Sequence, residues 1–136
     1  MHTFTLDIPL RWGDLDAMGH LNNTLYFRLL EEARIQWLAS LKLPTHAASH
    51  GPILANISCD FVRPMMYPNI ARVVQTVTKL GRSSLNHECT IEVIADPGVL
   101  YAKSSSVIVW MDYAAGKSCP WPDDVRALIE PRFNSD

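Results

Sequence analysis

The sequence predicts an α+β domain in which a curved, five-stranded antiparallel sheet wraps around one long helix. One stretch in the first third of the chain has apolar residues at helical spacing, and five other stretches have the composition or the alternation of strands. Turn signals such as Gly81-Arg82 and Asp96-Pro97-Gly98 separate the later strands, and strands joined by tight turns pair antiparallel. Because one helix can cover only one face of such a sheet, the sheet is expected to curve around it.

The first half of the chain supplies one strand and the long helix. A short apolar strand is predicted over residues 3–10, followed by a polar loop over residues 11–21. Asn22 and Asn23 stand where a side-chain cap is expected, and the helix is predicted over residues 23–41. Its apolar residues share one face of a helical wheel. They are Tyr26, Leu29, Leu30, Ala33, Trp37 and Leu41.

The second half is predicted to be a meander of four strands. Pro44 ends the helix, and residues 44–52 form a loop, after which the apolar period changes to two. The predicted strands span residues 53–61, 70–80, 83–95 and 99–111. A loop over residues 112–122 then leads to a short helix, 123–129, with an acidic first turn.

Composition excludes several classes of function. The 136 residues fit one domain, residues 1–136, and a 48% hydrophobic content is enough for a real core. A net charge of -2 argues against nucleic acid as a partner. The sequence shows no signal peptide and no apolar run of about 20 residues, so we expect no membrane association and a cytoplasmic protein. Cys59, Cys89 and Cys119 are widely spaced, as reduced thiols in that compartment would be.

The densest group of reactive side chains lies in the loop before the long helix. Asp14, Asp16, His20, Asn22 and Asn23 crowd a glycine-bearing loop that runs into the helix N-terminus. The first N–H groups of a helix lack backbone partners and can stabilise the oxyanion formed when a carbonyl is attacked. An ionised aspartate nearby could attack the carbonyl or take a proton from water. The same residue types equally suit a structural role as caps and turn formers.

A longer motif includes this loop and continues into the helix. Its residues are Asp14, Asp16, Gly19, His20, Asn22, Asn23 and Tyr26, followed by Glu32, Ala33 and Arg34. The motif resembles that of the 4-hydroxybenzoyl-CoA thioesterase branch of the hotdog-fold superfamily. The similarity continues through residues 81–84 and 112–129, so it covers nearly the whole chain. It implies a hotdog fold and an enzyme, without a cofactor, that hydrolyses an acyl-CoA to carboxylic acid and CoA.

The resemblance also implies roles for individual residues. Asp16 would be the general base or the nucleophile, the backbone N–H near Asn23 would form the oxyanion site, and His20 would complete the catalytic set. Some relatives carry His at the position of Asn23, whose amide would here orient water or substrate. Asp14 would orient the loop. Further residues are candidates for binding the substrate: Gly19, Asn22, Tyr26, Arg82, Ser83 and Ser84.

Relatives of this branch assemble as homodimers, often paired into homotetramers, by joining their sheets edge to edge. The active site then lies between subunits, so Ser83 and Ser84 would reach it from the partner. The cations available for the CoA phosphates are Arg63, Arg72, Lys79, Arg82 and Lys103. Loop-borne apolar residues are candidate walls of an acyl pocket: Trp12, Met18, Met65, Met66 and Tyr67.

Other interpretations remain open or are discounted. A non-catalytic acyl-CoA-binding protein is possible, as is a hotdog hydratase or dehydratase using Asp16 and His20 as an acid/base pair. The hydratase branch carries an Asp-x-Asn-Pro-x-His pattern, which this loop lacks. His46 and His50 have no acidic or thiolate partner at metal-ligand spacing, so no metal is expected.

Overall fold

The structure is a computed structural model that describes residues 2–43 and 49–133. It contains six strands, two α-helices and one 3-10 turn at Trp12–Asp14. In chain order the regular elements are β1 (His2–Pro9), α1 (Asn23–Ser40), β2 (His50–Phe61), β3 (Ile70–Leu80), β4 (Ser84–Val93), β5 (Ala102–Asp112), β6 (Lys117–Ser118) and α2 (Asp123–Phe133).

The strands form one antiparallel sheet in the order β1-β3-β4-β5-β2, with β6 beside the end of β5. The prediction of a four-strand meander was wrong for β2, which pairs with β5 at the edge opposite β1. The reason is the connection from β2 to β3. It contains Pro64 and Pro68 and passes the start of α1, where the Met65 carbonyl accepts the Leu21 N–H at 2.8 Å.

Several element bounds and the number of strands also differ from the prediction. β2 begins at His50, inside the predicted loop 44–52, because an edge strand tolerates a proline such as Pro52. The sheet has a sixth strand, β6, which is too short for its alternation to show in the sequence. The helix α1 ends at Ser40, one residue before its predicted end. Pro44, which was predicted to end the helix, lies outside the described residues.

The helix α1 buries the predicted apolar face against the sheet, and Asn22 is its N-cap. The core beneath it has two parts. One lies around the first turns of α1, and the other contains Trp37, Trp110, Trp121 and the apolar side of α2. Four buried polar residues on the inner face of the sheet belong to neither cluster: Gln75, His87, Ser104 and Ser106.

Candidate active site

The loop before α1 is closed by its own backbone. The Asn22 N–H donates to the Asp14 carbonyl at 3.0 Å, and the Asp16 N–H donates to the His20 carbonyl at 2.7 Å. Gly19, with φ of 81°, supplies the left-handed conformation that lets the chain reverse between Asp16 and His20. The loop therefore presents residues 17–19 at its tip and returns to the helix start.

The Asp16 carboxylate is held by this loop through one oxygen. Its Oδ1 accepts the N–H groups of Met18 at 2.9 Å and of His20 at 3.2 Å. No donor to its Oδ2 is found in residues 2–43 and 49–133, and the side chain is exposed. Asp14, by contrast, accepts from the backbone N–H and the guanidinium of Arg11. Asp16 is thus oriented by the loop through Oδ1, and its Oδ2 has no donor among the described residues.

The start of α1 provides the other half of the site. The Asn22 Oδ1 accepts the Thr24 N–H at 3.0 Å and the Thr24 hydroxyl at 2.8 Å, so this side chain serves the helix cap. Asn23 is exposed and is the first helical residue. Its N–H belongs to the first turn, whose N–H groups have no partner within the helix.

Asp16, His20 and Asn23 line one cleft of about 190 Å³. Its opposite wall is the end of β2 and the residues that follow, from Phe61 to Pro64. The Tyr26 hydroxyl donates to the Arg63 carbonyl at 3.3 Å and so fastens this wall to α1. Burial raises the pKa of the Tyr26 phenol, which keeps the hydroxyl protonated as a donor.

The aromatic part of this wall was not found from the sequence. The rings of Phe61 and Tyr26 meet edge to face with centroids 5.1 Å apart, and Phe27 meets Phe61 at 6.3 Å. Phe61 ends a strand of ordinary alternation, and only the position of β2 in the sheet shows that its last residue lies beside Asp16. Met65, predicted as a pocket wall, is instead fully buried in the core.

The structure does not bring Arg82, Ser83 and Ser84 to the Asp16 cleft of the same chain. Ser84 pairs with Val109, and Val109 pairs with Ile53 near the start of β2. The cleft lies at the other end of β2, roughly 25 Å away at the rise of a strand. Among the candidate cations, Arg63 lines the cleft, whereas Arg72 makes two hydrogen bonds to Asp7, at 2.8 and 2.9 Å.

A second, wider cleft of about 610 Å³ lies between β1 and the exposed side of α1. Glu31 and Glu32 line it and are exposed to solvent. Within residues 2–43 and 49–133, no three His, Cys, Asp or Glu side chains are placed to hold a metal ion. His46 lies outside those residues.

Neither helix is long and apolar enough to cross a membrane, over the part of the chain that is described.

The sequence profile of the thioesterase-like superfamily matches residues 10–129. The chain belongs to this superfamily. It is similar in structure to a proposed thioesterase of Pseudomonas aeruginosa, with 38% identity, a TM-score of 0.87, and coverage of 93% of this chain and 97% of the other. A proposed acyl-CoA thioesterase of Xanthomonas campestris is 33% identical, with a TM-score of 0.77 and coverage of 86% and 97%. The uncharacterised protein YsmA of Bacillus subtilis is 25% identical over 129 residues, which cover 93% of this chain and 85% of YsmA.

These similarities confirm the resemblance stated from the motif and identify the six-stranded fold as a hotdog thioesterase fold. The superfamily profile includes the Asp16 loop and extends to residue 129, within α2.

Proposed function

We propose that this protein hydrolyses an acyl-CoA thioester to a carboxylic acid and CoA in the Asp16 cleft. The observation that carries the proposal is that Asp16, whose Oδ2 has no described donor, and Asn23, the first residue of α1, line one cleft. The 33% identity to a proposed acyl-CoA thioesterase supports CoA as the thiol. The cleft is small, and the acyl group would lie along its aromatic wall at Phe61.

In the proposed reaction, the Asn23 N–H stabilises the charge that develops on the thioester oxygen. The positive end of the α1 dipole adds to this stabilisation. As a general base, Asp16 removes a proton from water through its free oxygen while the water oxygen bonds to the carbonyl carbon. The carbon–sulfur bond then breaks, and its electron pair leaves on the CoA sulfur. As a nucleophile, an Asp16 oxygen would instead bond to the carbonyl carbon, and the carbon–sulfur bond would break with its electron pair leaving on the CoA sulfur. Water would then hydrolyse the resulting anhydride, which releases the carboxylic acid and restores the Asp16 carboxylate.

The proposal includes a second copy of the chain, in a homodimer or a homotetramer. No described strand pairs with the outer edge of β2, and an unpaired strand edge is a template for pairing. A sheet that continues into a second copy would complete the wrapping of α1. It would also bring Arg82, Ser83 and Ser84 of the partner subunit toward the cleft, because antiparallel pairing sets the two ends of β2 side by side. We place this assembly in the cytoplasm, where the three free thiols of each chain would stay reduced.

The test is the exchange of Asp16 for Asn, assayed by thiol release from a panel of aliphatic, branched and aromatic acyl-CoAs. Asn keeps the Oδ1 acceptor that the Met18 and His20 N–H groups need, and removes only the charge. We expect kcat to fall by roughly 100-fold or more, the size of a lost general base. Asp14→Asn is the matched control, because that carboxylate is turned to Arg11. Equal rates for Asp16→Asn and the wild type would contradict the assigned role.

One observation favours a second candidate, a non-catalytic acyl-CoA-binding protein. The hydrogen bonds to the Asp16 Oδ1 are those of a turn-forming aspartate, which needs no chemistry. Calorimetric binding of CoA together with an absence of thiol release from every thioester of the panel would support this candidate over hydrolysis.

A further inference from the structure

A polar cluster lies at the first residues of β2, far from the Asp16 cleft of its own chain. The Ser49 hydroxyl and the His50 Nδ1 are 3.0 Å apart, and the His50 Nε2 lies 3.5 Å from the Asp112 Oδ2. The other oxygen of Asp112 accepts the Ala115 N–H at 3.1 Å. His50 and Asp112 are direct partners in the β2–β5 register. Ser49, His50 and Asp112 are called the β2-start cluster below.

Tyr113 fixes the position of this cluster. Its backbone N–H donates to the Ser49 carbonyl at 3.0 Å, and its hydroxyl donates to the Pro52 carbonyl at 3.1 Å. The same hydroxyl occupies the space that a side chain at Gly51 would need. The cluster therefore belongs to a packed corner of the sheet, although the side chains of His50 and Asp112 are still 46% and 34% exposed.

Within one chain the β2-start cluster cannot serve the Asp16 site. Phe61, the last residue of β2, lines that cleft, and His50 is the first residue of the same strand. At about 3.3 Å per residue the two ends lie roughly 35 Å apart. The separation changes when β2 pairs with a second copy of itself. A two-fold axis through the middle of the strand brings the first residue of one copy beside the last residue of the other.

The surfaces at the two ends of β2 are complementary in the way this pairing requires. The end near Asp16 exposes Phe61 and Val62, which are 42% and 52% exposed, beside Phe27. The beginning has a groove of about 250 Å³ between β2 and α1. Its lining is mostly apolar and consists of Arg34, Ile35, Leu38, Pro52, Ile53, Leu54 and Ile108. A single two-fold axis would place the exposed aromatic residues of each copy at the groove of the other.

We propose that the β2-start cluster of one copy completes the Asp16 site of the other and binds the amide-bearing arm of CoA. This inference rests on the proposed function and on pairing through β2. Each amide of the arm offers one N–H donor and one carbonyl acceptor. The Asp112 carboxylate accepts, the Ser49 hydroxyl does both, and the His50 ring is held between them. The cluster orients the arm so that the thioester reaches the Asp16 of the neighbouring copy.

The first test is kinetic. Replacing His50 by Ala is expected to raise KM on the order of tenfold with little change in kcat, because a lost binding contact to the arm acts on the ground state and the transition state alike. The second variant, Ser49→Ala, is expected to act in the same direction. Both side chains are exposed, so folding should not be affected. An unchanged KM in both variants would overturn the proposal.

The decisive test uses hybrid dimers purified through two different tags. A hybrid of one Asp16→Asn chain with one His50→Ala chain has two sites. One of them combines the unchanged Asp16 of the second chain with the unchanged His50 of the first and is intact, whereas the other has both substitutions. We therefore expect about half of the wild-type kcat/KM. The reciprocal hybrid joins a chain that carries both substitutions to a wild-type chain, and no site in it is intact. It should be nearly inactive, at no more than about a twentieth of the wild-type kcat/KM. The opposite pattern, with the reciprocal hybrid at half activity, would show that the two residues act within one chain and would refute the proposal.

A binding measurement separates this inference from the proposed hydrolysis. If the wild type turns over no thioester of the panel, hydrolysis fails, but CoA alone still reports on the cluster. Calorimetric affinity for CoA that falls in His50→Ala, and not in Leu128→Ala on the exposed side of α2, would then support the site. Equal affinity in His50→Ala and wild type would count against it.

Discussion

At the scale of single residues, the Asp16 loop combines a structural and a chemical use of one side chain. One carboxylate oxygen satisfies two N–H groups of the loop, and the other meets no donor among the described residues. The Asn22 Oδ1 is committed to the cap, and the backbone N–H of Asn23, the first residue of the helix, is the proposed donor to a substrate oxygen. From the sequence alone, Asp16 and Asn22 could both be structural caps. Only the hydrogen bonds show that Asn22 caps the helix and that Asp16 has one oxygen without a described donor.

A first prediction concerns Asp7 and Arg72. The two hydrogen bonds from the Arg72 guanidinium hold the pKa of Asp7 below its ordinary value of about 4. The stabilisation is thus present at neutral pH and is lost as the pH falls through the lowered pKa. Asp7→Asn should lower the midpoint of denaturant unfolding slightly at pH 7 and leave it unchanged near pH 2. In an Arg72→Gln background, Asp7→Asn should leave the unfolding midpoint unchanged. An equal fall of the midpoint in the wild-type and Arg72→Gln backgrounds would exclude the Asp7–Arg72 pair as its cause.

At the scale of elements, long periodic segments were predicted well and connections were not. The apolar stripe of α1 and the whole of β3 lie where the sequence indicated. The pairing of β2 with β5 was missed because local alternation carries no information on which strand lies alongside. β2 ends up at the edge because the residues after it are held to the α1 loop through Met65 and Tyr26.

A second prediction tests the cap of α1. Asn22→Ala removes the acceptor of the Thr24 N–H and hydroxyl and should lower the free energy of unfolding by about 1 kcal/mol. Asn22→Asp keeps an acceptor at the same place and should retain most of that stability. Chemical denaturation followed by circular dichroism measures both. If the two variants lose equal stability, the cap bond contributes nothing and another role of Asn22 must account for the loss.

At the scale of the whole molecule, the candidate site is open on one side. The Asp16 loop and the helix start were identified from the sequence, because these residues are neighbours along the chain. Phe61 and the β2-start cluster were not, because both depend on the position of β2 beside β5 in the sheet. Ser83 and Ser84 lie far from Asp16 within one chain, so their role in the site stays a prediction that involves a second copy.

The last prediction tests whether a second copy covers the open side of the candidate site. Ile53→Lys places a charge on the outer strand, at a residue that is 43% exposed and lines the groove opposite the proposed aromatic partners. A charge on an edge strand opposes pairing, so the variant should sediment as a monomer at concentrations where the wild type is a dimer or larger. Leu128→Lys, equally exposed on α2, is the control and should leave the assembly intact. Because the proposed site needs both copies, thioesterase activity of Ile53→Lys should rise with protein concentration in parallel with its dimer fraction. A monomer with full activity per chain would show that the Asp16 cleft is complete by itself.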